Sequence, residues 1–140
     1  MKKLLQVILL CILTIGLTSV ANAADWQLIT TTENGISYFF DKQSVQKVSD
    51  KTYCVWIKYQ PKPRTGAETD ESPGSPFAYT LYKTEFNYQK KQFRELDYET
   101  YLHDNSLIEK GNVKGSWQNI DSGSVENIVF NTTYSYCKTL

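Results

Sequence analysis

A chain of 140 residues is long enough for one domain built on one hydrophobic core. Its 15 basic and 15 acidic residues cancel, which excludes the strongly basic surface that nucleic acid or an anionic membrane would require. The aromatic content is 14%, led by 10 tyrosines, which suits a sheet with one packed face and one half-wet face.

Residues 1–23 read as a secretory signal peptide. Lys2 and Lys3 form a positive start, Leu4 to Leu17 is an apolar run, and Ala21-Asn22-Ala23 is an A-x-A site predicting cleavage between Ala23 and Ala24. The run is shorter than the roughly 20 apolar residues a spanning helix needs. The expectation is export through the Sec pathway, with no membrane span left after cleavage. Cys11 follows Leu10 rather than a small residue, so it is unlike the lipid-accepting cysteine of a lipoprotein. The expected domain is 24–140, slightly acidic once Lys2 and Lys3 are lost.

Trp26 to Thr31 reads as a first strand and Ile36 to Asp41 as a second, joined by the turn signal Asn34-Gly35. Val45 and Val48 in an otherwise polar stretch suggest a single helical turn. Thr52 to Gln60 has the strongest strand composition in the chain. Tyr53, Val55, Ile57 and Tyr59 alternate there with Cys54, Trp56 and Lys58. Apolar groups on both faces predict a central strand covered twice, by a second layer or by a helix. Pro61 to Pro76 holds all 4 prolines and no large apolar residue, and reads as a long exposed loop. Its Glu68, Asp70 and Glu71 lack the ligand spacing of a calcium loop and read as a solvated cluster.

Phe77 to Tyr88 and Phe93 to Leu102 are expected to pair as antiparallel strands. Strict alternation in the second puts Glu95, Asp97 and Glu99 on one wet face. Leu107 to Asn112 and Ser116 to Ile120 follow as short strands. Ser124 then reads as the N-cap of a helix ending near Cys137, with Val125, Ile128, Val129, Thr132 and Tyr136 near one face. The run from Val129 to Tyr134 has poor helix propensity, and a strand is the alternative. The fold class is therefore α+β: one compact domain, mostly antiparallel sheet of about five to seven strands, with a C-terminal helix packed on it.

Cys54 and Cys137 are the cysteines that survive processing. In an oxidising compartment one disulfide between them is the simplest expectation, and two buried free thiols are the alternative. Neither belongs to a CxxC motif, so redox catalysis is not expected.

Little else carries chemistry. The single histidine, His103, sits in a polar turn beside Asp104 and reads as surface. Two distant cysteines and one histidine do not supply a zinc site. No phosphate-binding glycine loop or nucleophile elbow is present. The Glu95, Asp97, Glu99 row has glycosidase-like spacing but reads as a solvated strand face. The expectation is a non-enzyme with no cofactor and no metal.

Several stretches together resemble the surface-adhesin protein E family of Gram-negative bacteria. They are Trp26, Tyr38-Phe39-Phe40-Asp41 with Ser44-Val45, Val55-Trp56-Ile57-Lys58, Trp117-Gln118-Asn119-Ile120 with Asp121-Ser122, and the terminal segment ending in Cys137. The resemblance implies an antiparallel sheet with a C-terminal helix and a surface or periplasmic location. It also implies adhesion through host matrix or serum proteins such as laminin and vitronectin, sometimes as a homodimer. This chain departs from the family pattern in three places. Asn87 stands where the family often has a cysteine, Asp121-Ser122-Gly123 lacks a proline, and the leader lacks a lipobox. The last departure leaves a second expectation: a periplasmic inhibitor or accessory protein of an envelope enzyme or complex.

Overall fold

The computed structural model describes residues 23–62 and 77–140. The strands are β1 (Trp26–Thr31), β2 (Ser37–Asp41), β3 (Gln46–Lys47), β4 (Thr52–Gln60), β5 (Phe77–Asn87), β6 (Gln92–Leu102), β7 (Leu107–Asn112) and β8 (Gln118–Asn119). A 3-10 turn spans Lys42–Ser44, and helix α1 spans Val125–Cys137. The strands form one antiparallel sheet in the order β1-β2-β4-β5-β6-β7, with β3 added against β4 and β8 against β6. The expected α+β class with a C-terminal helix is what forms. The described sheet has eight strands rather than the five to seven expected, because β3 is only two residues long and leaves no periodic signal.

The first hairpin closes where Asn34-Gly35 predicts. Gly35 has a φ of 78°, a conformation that costs glycine little, and its amide bonds the Thr32 carbonyl at 2.9 Å. β4 lies between β2 and β5, and Tyr53, Val55 and Ile57 on one of its faces are buried beneath α1. Phe40, Phe86, Val129 and Phe130 complete the core. Stacked pairs run through it, with Tyr53 on Phe86 at 5.3 Å and Phe130 on Tyr134 at 5.6 Å between ring centres.

α1 forms against its local propensity because the sheet supplies a surface for its apolar side. The Ser124 hydroxyl accepts the Asn127 amide at 3.2 Å and caps the first turn. The buried residues are Val129, Phe130, Thr133 and Cys137, so the stripe differs from the expected one, and Ile128 points to solvent with 42% exposure. Thr133 can be buried because its hydroxyl donates back to the Val129 carbonyl and meets the Tyr53 phenol.

One expectation is corrected here. The helix covers only one face of β4; among the described residues no element packs across Cys54, Trp56 and Lys58 on the other. The disulfide expected between Cys54 and Cys137 is not shown: both are buried free thiols in the structure, the alternative raised by the sequence. The pleat explains this. Cys54 lies between Tyr53 and Val55, which face α1, so its side chain projects to the opposite side of the sheet from Cys137.

Candidate functional site

Strand β6 does not alternate evenly. Lys83 pairs with Asp97 but Thr84 pairs with Glu95, so Leu96 is an extra residue, a β-bulge. The connection after β7 holds this bulge. The Val113 amide donates to the Leu96 carbonyl at 2.8 Å and the Gly115 amide to the Glu95 carbonyl at 3.0 Å. Gly115 is required there, since a Cβ would lie 2.8 Å from the Glu95 carbonyl oxygen. The bulge separates the carboxylate row expected from the sequence. Glu95 lies on the helix side with Phe93 and Thr84, while Asp97 and Glu99 lie on the other. Asp97 accepts a hydrogen bond from Asn112, and Glu99 accepts one from Tyr101 at 2.6 Å.

On the helix side, the first turn of α1 stands away from the sheet and leaves a cleft of about 390 Å³. Tyr38, Tyr59, Tyr82 and Phe93 form much of its wall, and Glu95 and Glu126 are its charged groups among the described residues. Tyr38 and Tyr59 meet edge to face at 5.6 Å. Burial, reinforced by the nearby Glu126 carboxylate, raises the Glu95 pKa above the ordinary glutamate value. Burial also raises the Tyr82 phenol, with Glu95 adding to it. Glu126 occupies the first turn of α1, where the helix dipole favours a carboxylate. The sequence places Glu126 in the first turn of the helix, but neither the cleft nor the part Glu126 takes in its lining was legible there, because both depend on how α1 crosses the sheet.

The opposite face gathers all three tryptophans. Trp56 lies on β4. Trp26 pairs with Asp41 at the start of β1, and Trp117 immediately precedes β8. Lys58 rises among rings, with its ammonium 4.9 Å from the centre of Trp26, 4.5 Å from Phe39 and 5.6 Å from Tyr79. Desolvation there lowers its pKa. The Arg94 guanidinium lies 4.5 Å from the Trp117 ring and pairs with Glu85 at 2.6 Å. Tyr79 stacks on Tyr101 at 4.9 Å. These side chains shield one another laterally, which is why they are half-buried although no described element covers them. The odd–even pattern of each strand carried this signal, but only the inter-strand register joins the pieces into one surface.

His103 is exposed in the turn between β6 and β7, and Asp104 does not orient it. The Asp104 carboxylate instead accepts the Ser106 hydroxyl and amide, at 2.6 and 2.9 Å, which lowers its pKa. Among the described residues no group of three or more His, Cys, Asp or Glu side chains could hold a metal ion. No helix of the described residues is long and apolar enough to cross a membrane. Glu68, Asp70 and Glu71, and the Pro61–Pro76 loop beyond Lys62, lie outside the described residues, as does the leader up to Asn22.

Comparison with curated proteins and with solved structures returns no match to either. The sequence profile of the surface-adhesin protein E family, by contrast, matches residues 26–138, from the first residue of β1 to just past the end of α1. By that match the chain belongs to the surface-adhesin protein E family.

Proposed function

We propose that this protein is an exported, non-enzymatic binding module that docks an extracellular-matrix or serum protein on the open face of its sheet. The observation that carries this reading is the gathering of Trp26, Trp56 and Trp117 on that face, two of them against the cations of Lys58 and Arg94. Tryptophan, tyrosine and arginine are the side chains that contribute most at protein interfaces; the two aromatics bury large area with little rotamer entropy lost, and arginine adds a flat, multiply hydrogen-bonding cation. Here they are held rigid by cross-strand packing, so little ordering cost remains at binding. Membership in the surface-adhesin protein E family supports the same role.

The test is solid-phase binding of the purified protein to immobilised laminin and vitronectin. Saturable binding that falls at least tenfold in Trp26→Ala and Trp117→Ala, with the fold intact by circular dichroism, supports the reading. No saturable binding to either protein overturns it. A periplasmic inhibitor or accessory role is the second reading, favoured by the leader, in which Leu10 precedes Cys11 where a lipobox has a small residue. Affinity capture from the cell's own envelope extract separates the two, since an adhesin retrieves little there.

A further inference from the structure

We propose that the cleft between the first turn of α1 and the sheet binds a small organic cation, an alkylammonium group, surrounded by the rings of Tyr38, Tyr59 and Tyr82 with Glu95 and Glu126 as its counter-charges. This goes beyond the protein-docking reading and lies on the opposite side of the sheet, so the two stand or fall separately.

Size comes first. A volume of about 390 Å³ lies in the range of small-molecule sites and is too small for a folded partner. Charge comes next. Among the described residues the cleft is lined by two carboxylates and by no lysine, arginine or histidine. The N-terminal end of α1 alone would favour an anion, with about half a positive charge. Two carboxylates outweigh it, and Glu126 stands within that same first turn. Neither glutamate takes part in an ion pair among the described residues, whose pairs are Lys42 with Asp25 and Arg94 with Glu85.

The wall chemistry selects the kind of cation. Aromatic ring faces attract an alkylated ammonium, whose charge is spread over its methyl or methylene groups and whose dehydration is cheap. Tyr38 and Tyr59 are set edge to face, so their rings present differently oriented surfaces rather than a closed stack. Val125 and Val129 of α1 and Ile57 of β4 supply an apolar floor for a hydrocarbon body. Among the described residues a bare metal ion finds only two carboxylates there and no further ligand cluster. A neutral hydrocarbon would leave Glu95 half-buried and uncompensated. An ammonium group carried on an apolar body satisfies both parts of the lining.

The test is an amide-resolved NMR titration of the purified protein with choline and benzyltrimethylammonium. The control is 3,3-dimethylbutanol, the neutral carbon counterpart of choline. The expected result is saturable shifts centred on Tyr38, Tyr59, Tyr82 and the first turn of α1, with the cations binding at least tenfold more tightly than the alcohol. Glu95→Gln and the exposed-site variant Glu126→Gln each weaken the cations roughly tenfold and leave the alcohol unchanged. Equal binding of the alcohol and the cations, shifts centred elsewhere, or no shifts at all overturns the proposal. Glu126 lies on the surface, so its variant keeps the fold and the test stands even if Glu95→Gln perturbs β6.

Discussion

The Tyr53 phenol oxygen lies 2.8 Å from Thr133 Oγ1, and both residues have 0% exposure. This bond joins the central strand to α1 through the core. Tyr53 donates to Thr133, and Thr133 donates to the Val129 carbonyl at 2.8 Å, so each hydroxyl proton has a place. Tyr53→Phe leaves Thr133 still paired within its helix and is expected to cost about 1 kcal/mol. Thr133→Val leaves the phenol only the Phe130 carbonyl at 3.3 Å and is expected to cost about 1–3 kcal/mol. A double-mutant cycle by urea unfolding should show coupling of at least about 0.5 kcal/mol. Strict additivity would mean the bond does not join the two elements.

Alkali should unfold this protein through its tyrosines. Burial raises Tyr53 far above an ordinary phenol, and the hydrogen bond to Glu99 carries Tyr101 up to about 12. A raised folded pKa gives stability that is complete below the unfolded value, near 10, and is lost as pH climbs through the folded one. Unfolding free energy should therefore fall steeply above about pH 10, and Tyr53→Phe should flatten that fall. A pH-independent difference between the two proteins would contradict the assignment.

Glu95 has the opposite consequence to an ion-paired carboxylate. Its folded pKa is raised, so its favourable contribution is present below the unfolded value and is lost as pH rises. Glu95→Gln should be more stable than the parent at neutral pH and indistinguishable from it near pH 4. Thermal melts at the two pH values measure this directly.

Arg94 and Glu85 form a cross-strand pair in which Glu85 has only 6% exposure. Arg94→Ala leaves a buried carboxylate without its partner and is expected to cost about 2–3 kcal/mol. Arg94→Lys should restore little, because both Nε and Nη2 of the guanidinium reach Glu85 Oε2, and its flat face also packs against Trp117. Denaturant midpoints of the three proteins give the comparison.

The cysteines yield a simple count. Burial raises both thiol pKa values, which slows their reaction as well as shielding them. The protein, never exposed to reductant, should show almost no thiol reactivity when native and titrate both Cys54 and Cys137 when denatured. Absence of both thiols from the denatured protein would show that a disulfide forms and that β4 and α1 are arranged otherwise.

Much of the fold was determined by the sequence alone, because local chemistry set it. Thr52–Gln60 is dense in β-branched and aromatic residues and could be little but a central strand. Asn34-Gly35 placed the hairpin turn, and Ser124 placed the start of α1. Tertiary structure decided which side chains meet. Even alternation predicted Glu95, Asp97 and Glu99 in one row, and the single extra residue at Leu96 divides them between two faces. A period of two is reset by one bulge, and the contacts that hold this bulge come from Val113 and Gly115, beyond an intervening strand. The cysteines followed the same logic. Sequence could count two thiols, but the pleat of β4 turned Cys54 away from the helix that carries Cys137. The tryptophan face and the acidic cleft likewise arise from register and helix placement, which depend on pairings between residues far apart in the chain.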